Sequence, residues 1–439
     1  LERYFHSVTL DETKCRGCTN CIKHCPTEAI RVRKSKARII AERCIDCGEC
    51  IRVCPYHAKK AISDSMDAIN SFKYKVVIPA PSLYGQFRSN ASRNMLLTAL
   101  KHIGFDAVYE VARAAEIVTE ATKTLLNKNS TVKPLISSAC PAVVRLIQVR
   151  YPNLIDNIVR LESPMEVAAE IAKNKISKTE NMPIEDIGVF FITPCAAKVT
   201  SVKAPYEKKK SFVDGVISIK DIYLKLLNSL DKVKTAEDLE QAGYEGIRWA
   251  GPGGESLALG TDEFLAVDGI HNVISILEEI EKDRLERVEF IEALACVGGC
   301  LGGPLTVENA YVARSNLKRF VDQARQNGVS KEHTEEGEND LMWTASIEYK
   351  PVMKLDENFH EAMKKLEALE LINKDLPGLD CGACGAPSCR ALAEDIVRGN
   401  ANEADCVFKL REKVRELAVQ MMELEAKMPP VLDKDWTND

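Results

Sequence analysis

Sixteen cysteines stand in this 439-residue chain, and their spacing sorts them into three groups. Cys15, Cys18, Cys21 and Cys25, followed by Pro26, read C-x2-C-x2-C-x3-C-P, and the pattern returns 29 residues later as Cys44, Cys47, Cys50 and Cys54, followed by Pro55. The last group, Cys381, Cys384, Cys389 and Cys406, opens as C-x2-C-G-x-P-x-C. Between them lie only Cys140, Cys195, Cys296 and Cys300. Dense disulfide frameworks belong to small secreted domains with little core. In a chain of this length, closely spaced thiols read as metal ligands instead. Three thiolates two residues apart wrap one corner of an iron–sulfur cube, and the fourth ligand arrives from elsewhere. Zinc also accepts C-x2-C pairs, but two matched runs that each end in Cys-Pro favour clusters.

The two matched runs resemble the bacterial two-cluster ferredoxin signature, in which the fourth cysteine of each run ligates the other cluster. The resemblance assigns Cys15, Cys18, Cys21 and Cys54 to one four-iron cubane, and Cys44, Cys47, Cys50 and Cys25 to a second. Gly17 and Gly48 let backbone amides approach the cluster sulfurs. The C-terminal run resembles a small four-iron domain of other electron-transfer proteins, with zinc as the alternative metal.

The scattered cysteines need elements that bring them together. Val76–Ile78 leads into Pro79-Ala80-Pro81-Ser82, and Leu135-Ile136 into Ser137-Ser138-Ala139-Cys140-Pro141. Val189–Ile192 leads into Thr193-Pro194-Cys195, and Val288–Ile291 into Leu294-Ala295-Cys296. Short, continuously apolar runs separated by helical stretches predict an α/β fold with buried parallel strands. Ligands of such sheets gather beyond the carboxyl ends of the strands, where four thiolates from separate loops can converge.

Ser137–Pro141, Thr193–Lys198 and Ala295–Gly303 are similar to the three H-cluster motifs of FeFe-hydrogenases. The resemblance implies that Cys140, Cys195, Cys296 and Cys300 hold a cubane, and that Cys300 bridges it to a two-iron subsite with CO, CN and azadithiolate ligands. It further implies that Lys198 donates a hydrogen bond to one cyanide. The Ala80-Pro81-Ser82 loop would surround the other, with Ser82 as donor. A buried ammonium on an anionic cyanide is a charge-assisted hydrogen bond. With the C-terminal cluster, the cofactor expectation is four 4Fe-4S clusters plus the two-iron subsite, and every cysteine is used.

The departures from the family pattern are specific. Ala139 stands where prototypes carry a proton-relaying cysteine, and Ser201 replaces a relay glutamate three residues after Lys198. Thr193 and Leu294 replace pocket methionines, Val143 a tryptophan, and Gly302–Asn309 a different glycine-rich tail. Loss of a positioned acid–base group typically lowers rates about a hundredfold to ten-thousandfold. The combination resembles the sensory-type enzymes, whose slow, reversible chemistry reports hydrogen. Glu292, with Glu255 second, is the expected substitute proton path, and a structural carboxylate is the alternative for each.

Composition sets bounds. A net charge of −6 offers no basic surplus for nucleic acid, and no apolar run is long enough to span a bilayer. The opening Leu1–Phe5 shows no secretory pattern, and a start other than Met suggests that the native one lies upstream. A cytoplasmic location is expected. The expected domains are 1–70 (two-cluster ferredoxin-like), 71–355 (H-cluster) and 356–439 (a small helical iron–sulfur module). Residues 325–345, with His333–Glu338, are polar and acidic and read as a linker or surface loop, and 356–372 as an amphipathic helix. Val407, Leu410, Val414, Leu417, Met421, Leu424 and Met428 form a heptad seam before Pro429-Pro430. That seam leaves own-domain packing, a homodimer or a partner helix open. Implied partners are hydrogen and protons as substrates, a redox or signalling protein, and maturation proteins for the two-iron unit. The competing function is an electron-transfer or assembly scaffold without that unit.

Overall fold

The computed structural model describes residues 5–88, 91–128, 132–327 and 341–427. His333–Glu338 of the expected linker, Met428 of the seam, Pro429-Pro430 and the first four residues lie outside this set. Contacts divide the chain into two compact units, Leu1–Lys14 with Ala41–Val352 and Cys15–Ile40 with Met353–Asp439. The two cysteine runs are thereby shared out, Cys15–Cys25 in the second unit and Cys44–Cys54 in the first.

The strands in chain order are β1 (Val8–Leu10), β2 (Ile30–Arg33), β3 (Lys36–Ile39), β4 (Lys59–Ala61), β5 (Tyr74–Pro79) and β6 (Ala107–Val108). They continue with β7 (Leu135–Ile136), β8 (Ile187–Thr193), β9 (Gly215–Ser218), β10 (Phe264–Asp268) and β11 (Phe290–Leu294). In the first unit, β1 pairs antiparallel with β4, and two separate parallel sheets follow, ordered β6-β5-β8-β9 and β10-β11-β7. Every residue of β8 and β11 is buried, as expected of inner parallel strands covered on both faces, while β10 is half-buried at an edge. Helices cover these sheets. Val111–Leu126 and Pro164–Thr179 pack with β5 and β8, and Ile270–Glu281 turns Ile270, Val273, Leu277 and Ile280 onto the sheet containing β11. No helix among the described residues is long and apolar enough to cross a membrane.

The second unit holds the antiparallel β2–β3 hairpin and the C-terminal helices Phe359–Asp375, Cys389–Val397 and Val407–Glu425. The first of these starts at its Asn358 cap, whose side chain accepts from His360 N and Glu361 N, three residues later than the apolar period alone suggests. Val32 N donates to Gly385 O at 2.8 Å, and Asp395 takes Arg31 Nε and Arg33 Nη2 at 2.8 Å each. The seam of the last helix is uncovered by its own module: Val407, Leu410, Val414, Leu417, Met421 and Leu424 are all exposed.

The 29-residue repeat is written into the backbone. Gly17 and Asp46 have φ +66° and +54°, Thr19 and Gly48 +65° and +73°, and Glu28 and His57 +50° each. Cys25 Sγ accepts Ala29 N at 3.2 Å, and Cys54 Sγ accepts Ala58 N at 3.3 Å. Equal spacing has produced equal loops, including left-handed residues that are uncommon outside glycine.

Candidate functional site

Ligand-type residues enter the site from the carboxyl ends of both parallel sheets. β5 and β8 run in register from Tyr74↔Ile187 to Pro79↔Ile192, so Ala80-Pro81-Ser82 and Pro194-Cys195 emerge side by side. Ile136 of β7 faces Ile291 of β11, so Ser137–Cys140 emerges beside Glu292–Cys296. Cys140 and Cys195 each cap a helix, Pro141–Arg150 and Ala196–Lys203. A helix N-terminus favours the thiolate form. Cys300 sits in the tight turn Gly299–Gly302, which needs Gly298 at φ +82° and leaves no room for a Cβ at Gly302 against Val297 O.

Cys140, Cys195, Cys296 and Cys300 line one cavity of about 100 Å³, together with Ala80, Pro81, Ser82, Lys198, Glu255 and Glu292. Convergence of the four thiols, expected from sequence, is what the fold produces. Burial first, then the charges of Cys296 and Cys140, push the Cys195 thiol up to about 12. Burial, and then Cys195, Cys140 and Cys296, hold the Cys300 thiol well above its ordinary value. Burial and Cys296 raise Cys140 as well. Buried thiolates that oppose one another so strongly suit an electropositive centre that binds them all, which is the chemistry of a cubane's four-sulfur ligand set.

Two further groups point to a ligand. Ser82 is wholly buried, Lys198 Nζ is buried, and neither Ser82 Oγ nor Lys198 Nζ has a hydrogen-bond partner among the described residues. Unpaired buried donors are costly and uncommon in folded proteins. Both face the same cavity, as donors waiting for an anionic acceptor would. Glu207, buried and pushed up to about 7 by desolvation while Lys198's charge pulls it down, is a carboxyl that responds to this ammonium.

Glu255 and Glu292 form a buried acidic pair. Ser137 Oγ donates to both oxygens of Glu255, at 2.9 and 2.7 Å, while Glu292 accepts Gly253 N and Ser256 N at 2.9 Å each. Burial and then Glu292 push Glu255 up to about 8. Burial raises Glu292 too, against the amides of Ser256 and Gly253. Two carboxyls in one dry site resist ionising together, so the pair holds a proton near neutral pH.

The departures have distinct structural fates. Ala139 and Leu294 line the cavity, but Thr193 does not: its hydroxyl accepts Cys195 N at 3.1 Å and stays within its own turn. Ser201 Oγ donates to Lys198 O at 3.0 Å, bracing the lysine's helix instead of relaying protons. The altered tail is tied down where Leu305 N meets Pro194 O at 3.0 Å and Gln86 Oε1 accepts Val307 N and Glu308 N. Sequence reasoning missed Met165 and Trp249, which also line the cavity, the latter anchored by Nε1 donating to Thr119 at 3.2 Å. Met165 sits just inside a Ser163-Pro164 helix start, a readable local signal that carries no hint of its target.

Comparison with known proteins gives the family. A family model described as iron only hydrogenase large subunit, C-terminal domain, matches residues 73–244 and 226–304. A 4Fe-4S dicluster domain model matches residues 7–55, and an Fe-S cluster model matches 376–408. The chain is 23% identical over 368 residues to iron hydrogenase 1 of Clostridium pasteurianum, covering 68% of this chain and 64% of that protein. It is 26% identical over 238 residues to the periplasmic Fe hydrogenase large subunit of Nitratidesulfovibrio vulgaris, covering 49% and 56%. The chain thus spans between about half and two thirds of the length of these relatives. A solved FeFe-hydrogenase of Chlamydomonas reinhardtii superposes with a TM-score of 0.49 at 14% identity, over 64% of this chain and 95% of that one.

Proposed function

Because this chain belongs to the iron-only hydrogenase large-subunit family, we propose that its cavity takes up an H-cluster and that the protein interconverts hydrogen with protons and electrons, slowly and reversibly, to report hydrogen or redox state. The observation that carries the reading is the pair of buried donors, Ser82 Oγ and Lys198 Nζ, that find no partner among the described residues and line the same cavity as four ligand-type cysteines. When bound, the two-iron unit supplies the redox-active metal at which hydrogen is made or split. The chain's own residues do the rest. Cys140, Cys195, Cys296 and Cys300 would hold the cubane, with Cys300 the thiolate shared with the two-iron unit. Lys198 and Ser82 would donate hydrogen bonds to its anionic ligands, and Ala139, Leu294 and Met165 give the cavity apolar walls.

Glu255 is the proton store of this reading. Its carboxyl is protonated at neutral pH, Ser137 fixes its orientation, and Glu292 can accept its proton in turn. Ala139, an apolar neighbour, cannot relay a proton, which is why slow turnover is expected. The cysteines of the two matched runs and of the C-terminal group would hold further cubanes, which would supply electron-carrying capacity.

The test is infrared spectroscopy of the chain after treatment with the maturation proteins, paired with a hydrogen-oxidation assay. Carbonyl and cyanide stretches with slow turnover are expected. A matured chain with neither stretch would turn the reading to an iron–sulfur scaffold.

A further inference from the structure

One side chain joins a ligand loop of the cysteine repeat to a ligand loop of the cavity, within a single compact unit. Arg52 ends the short helix Glu49–Arg52, two residues after Cys50 and two before Cys54. Its guanidinium is held from two sides. Nη1 donates to Gly302 O at 3.1 Å, two residues beyond Cys300, while Nη2 and Nε reach Glu49 Oε2 at 2.5 and 3.2 Å. About three quarters of the side chain is buried, with 26% exposed. Beside it, Gly48 at φ +73° accepts the ring of Pro304 in the space a Cβ would need. Cys47 packs in the same apolar cluster as Cys140 and Cys195. The loop carrying Cys47 and Cys50 is therefore seated directly on the Cys296–Pro304 loop.

A fixed guanidinium is always charged and poorly hydrated, so it stays effective in a partly dry contact. Its bond to Gly302 O seats the cation on the turn that carries Cys300. A positive charge held there stabilises negative charge added to a cluster bound by that loop.

We propose that Arg52 is a positioning residue that raises the reduction potential of the cubane held by Cys140, Cys195, Cys296 and Cys300, and so eases electron entry from the Cys44–Cys50 side. The inference rests on the cluster reading of the cavity. Glu49 partly neutralises Arg52, so charge-removing substitutions at the two positions carry opposite signs. Arg52→Gln keeps a donor for Gly302 O but removes the charge, Arg52→Lys keeps the charge, and Glu49→Gln unmasks it.

The experiment is an EPR-monitored redox titration of the full chain carrying reconstituted cubanes without the two-iron unit. The relevant signal is identified by its loss in Cys195→Ser. At fixed potential, Arg52→Gln should move the oxidised-to-reduced ratio about tenfold toward oxidised, which is about 59 mV for a one-electron couple. Glu49→Gln should move it the other way, and Arg52→Lys should stay near the parent. An unmoved potential in Arg52→Gln overturns the proposal, as do shifts of the same sign in Arg52→Gln and Glu49→Gln, the result of a purely mechanical latch. If iron content and spectrum are unchanged in Cys195→Ser, the cluster reading itself fails and the inference falls with it. That result is distinct from an unmoved potential.

Discussion

Lys198→Met separates the cost of an orphaned charge from its use. In the chain without the two-iron unit, Nζ is buried and has no hydrogen-bond partner among the described residues. An unsatisfied buried polar group costs about 1–3 kcal/mol, and more when charged. Glu207 offsets part of this, since Lys198's charge is the largest influence lowering that carboxyl's pKa. Methionine matches the length of the lysine stem, fills the same space and needs no donor. The substitution should therefore stabilise the chain lacking the two-iron unit by roughly 1–3 kcal/mol. For a unit of this size that is a rise of roughly 1–5 °C in melting temperature. The same change should abolish or strongly weaken retention of the two-iron unit, read as lost cyanide and carbonyl stretches after maturation. Thermal scans of parent and variant, each loaded with cubanes only, give the first sign, and infrared spectra give the second. A lower melting temperature would mean that Lys198 already has a partner, and would refute the orphan-donor argument.

Glu292→Gln should lower hydrogen turnover by about a hundredfold to ten-thousandfold while the infrared bands persist; unchanged turnover would remove it from the proton path. Glu255, folded near 8 against an ordinary 4.5, contributes stability that is intact below about pH 4.5 and lost as pH climbs through 8. Glu255→Gln should remove that loss, so its melting advantage over the parent should grow from pH 5 to pH 9; a pH-independent difference would contradict the buried-pair account. In the second unit, Asp395→Ala leaves the buried Arg31 without its partner at 2.8 Å, and should destabilise that unit by roughly 3–5 kcal/mol. Loss of cluster absorbance on heating, compared with the parent, checks it.

Much of the cluster chemistry was legible because it is local. C-x2-C-x2-C sets three ligands of a cube within one loop, and a repeat of 29 residues gives matching left-handed turns. The largely apolar runs at 76–78, 135–136, 189–192 and 288–291 became β5, β7, β8 and β11, because buried parallel strands advertise themselves by hydrophobicity, although Glu289 and Glu292 interrupt the last of them. The linear chain is silent about partners that meet only after folding. That the runs divide into two sheets rather than one was not readable, since strand order depends on long-range pairing. Thr193 looked like a cavity residue and proved to be a turn cap, because a hydroxyl two residues before an amide satisfies it locally.

What the sequence alone determined is which residues can bind iron and where strands end. Only the tertiary structure decided that Ser82 and Lys198 find no hydrogen-bond partner among the described residues, that Glu255 and Glu292 are buried along one cavity, and that Arg52 reaches Gly302. Ligand identity is a property of side-chain type and spacing. Desolvation, like-charge proximity and unmet hydrogen bonding are properties of what surrounds a group, and packing creates those surroundings across 250 residues of separation in the case of Arg52 and Gly302.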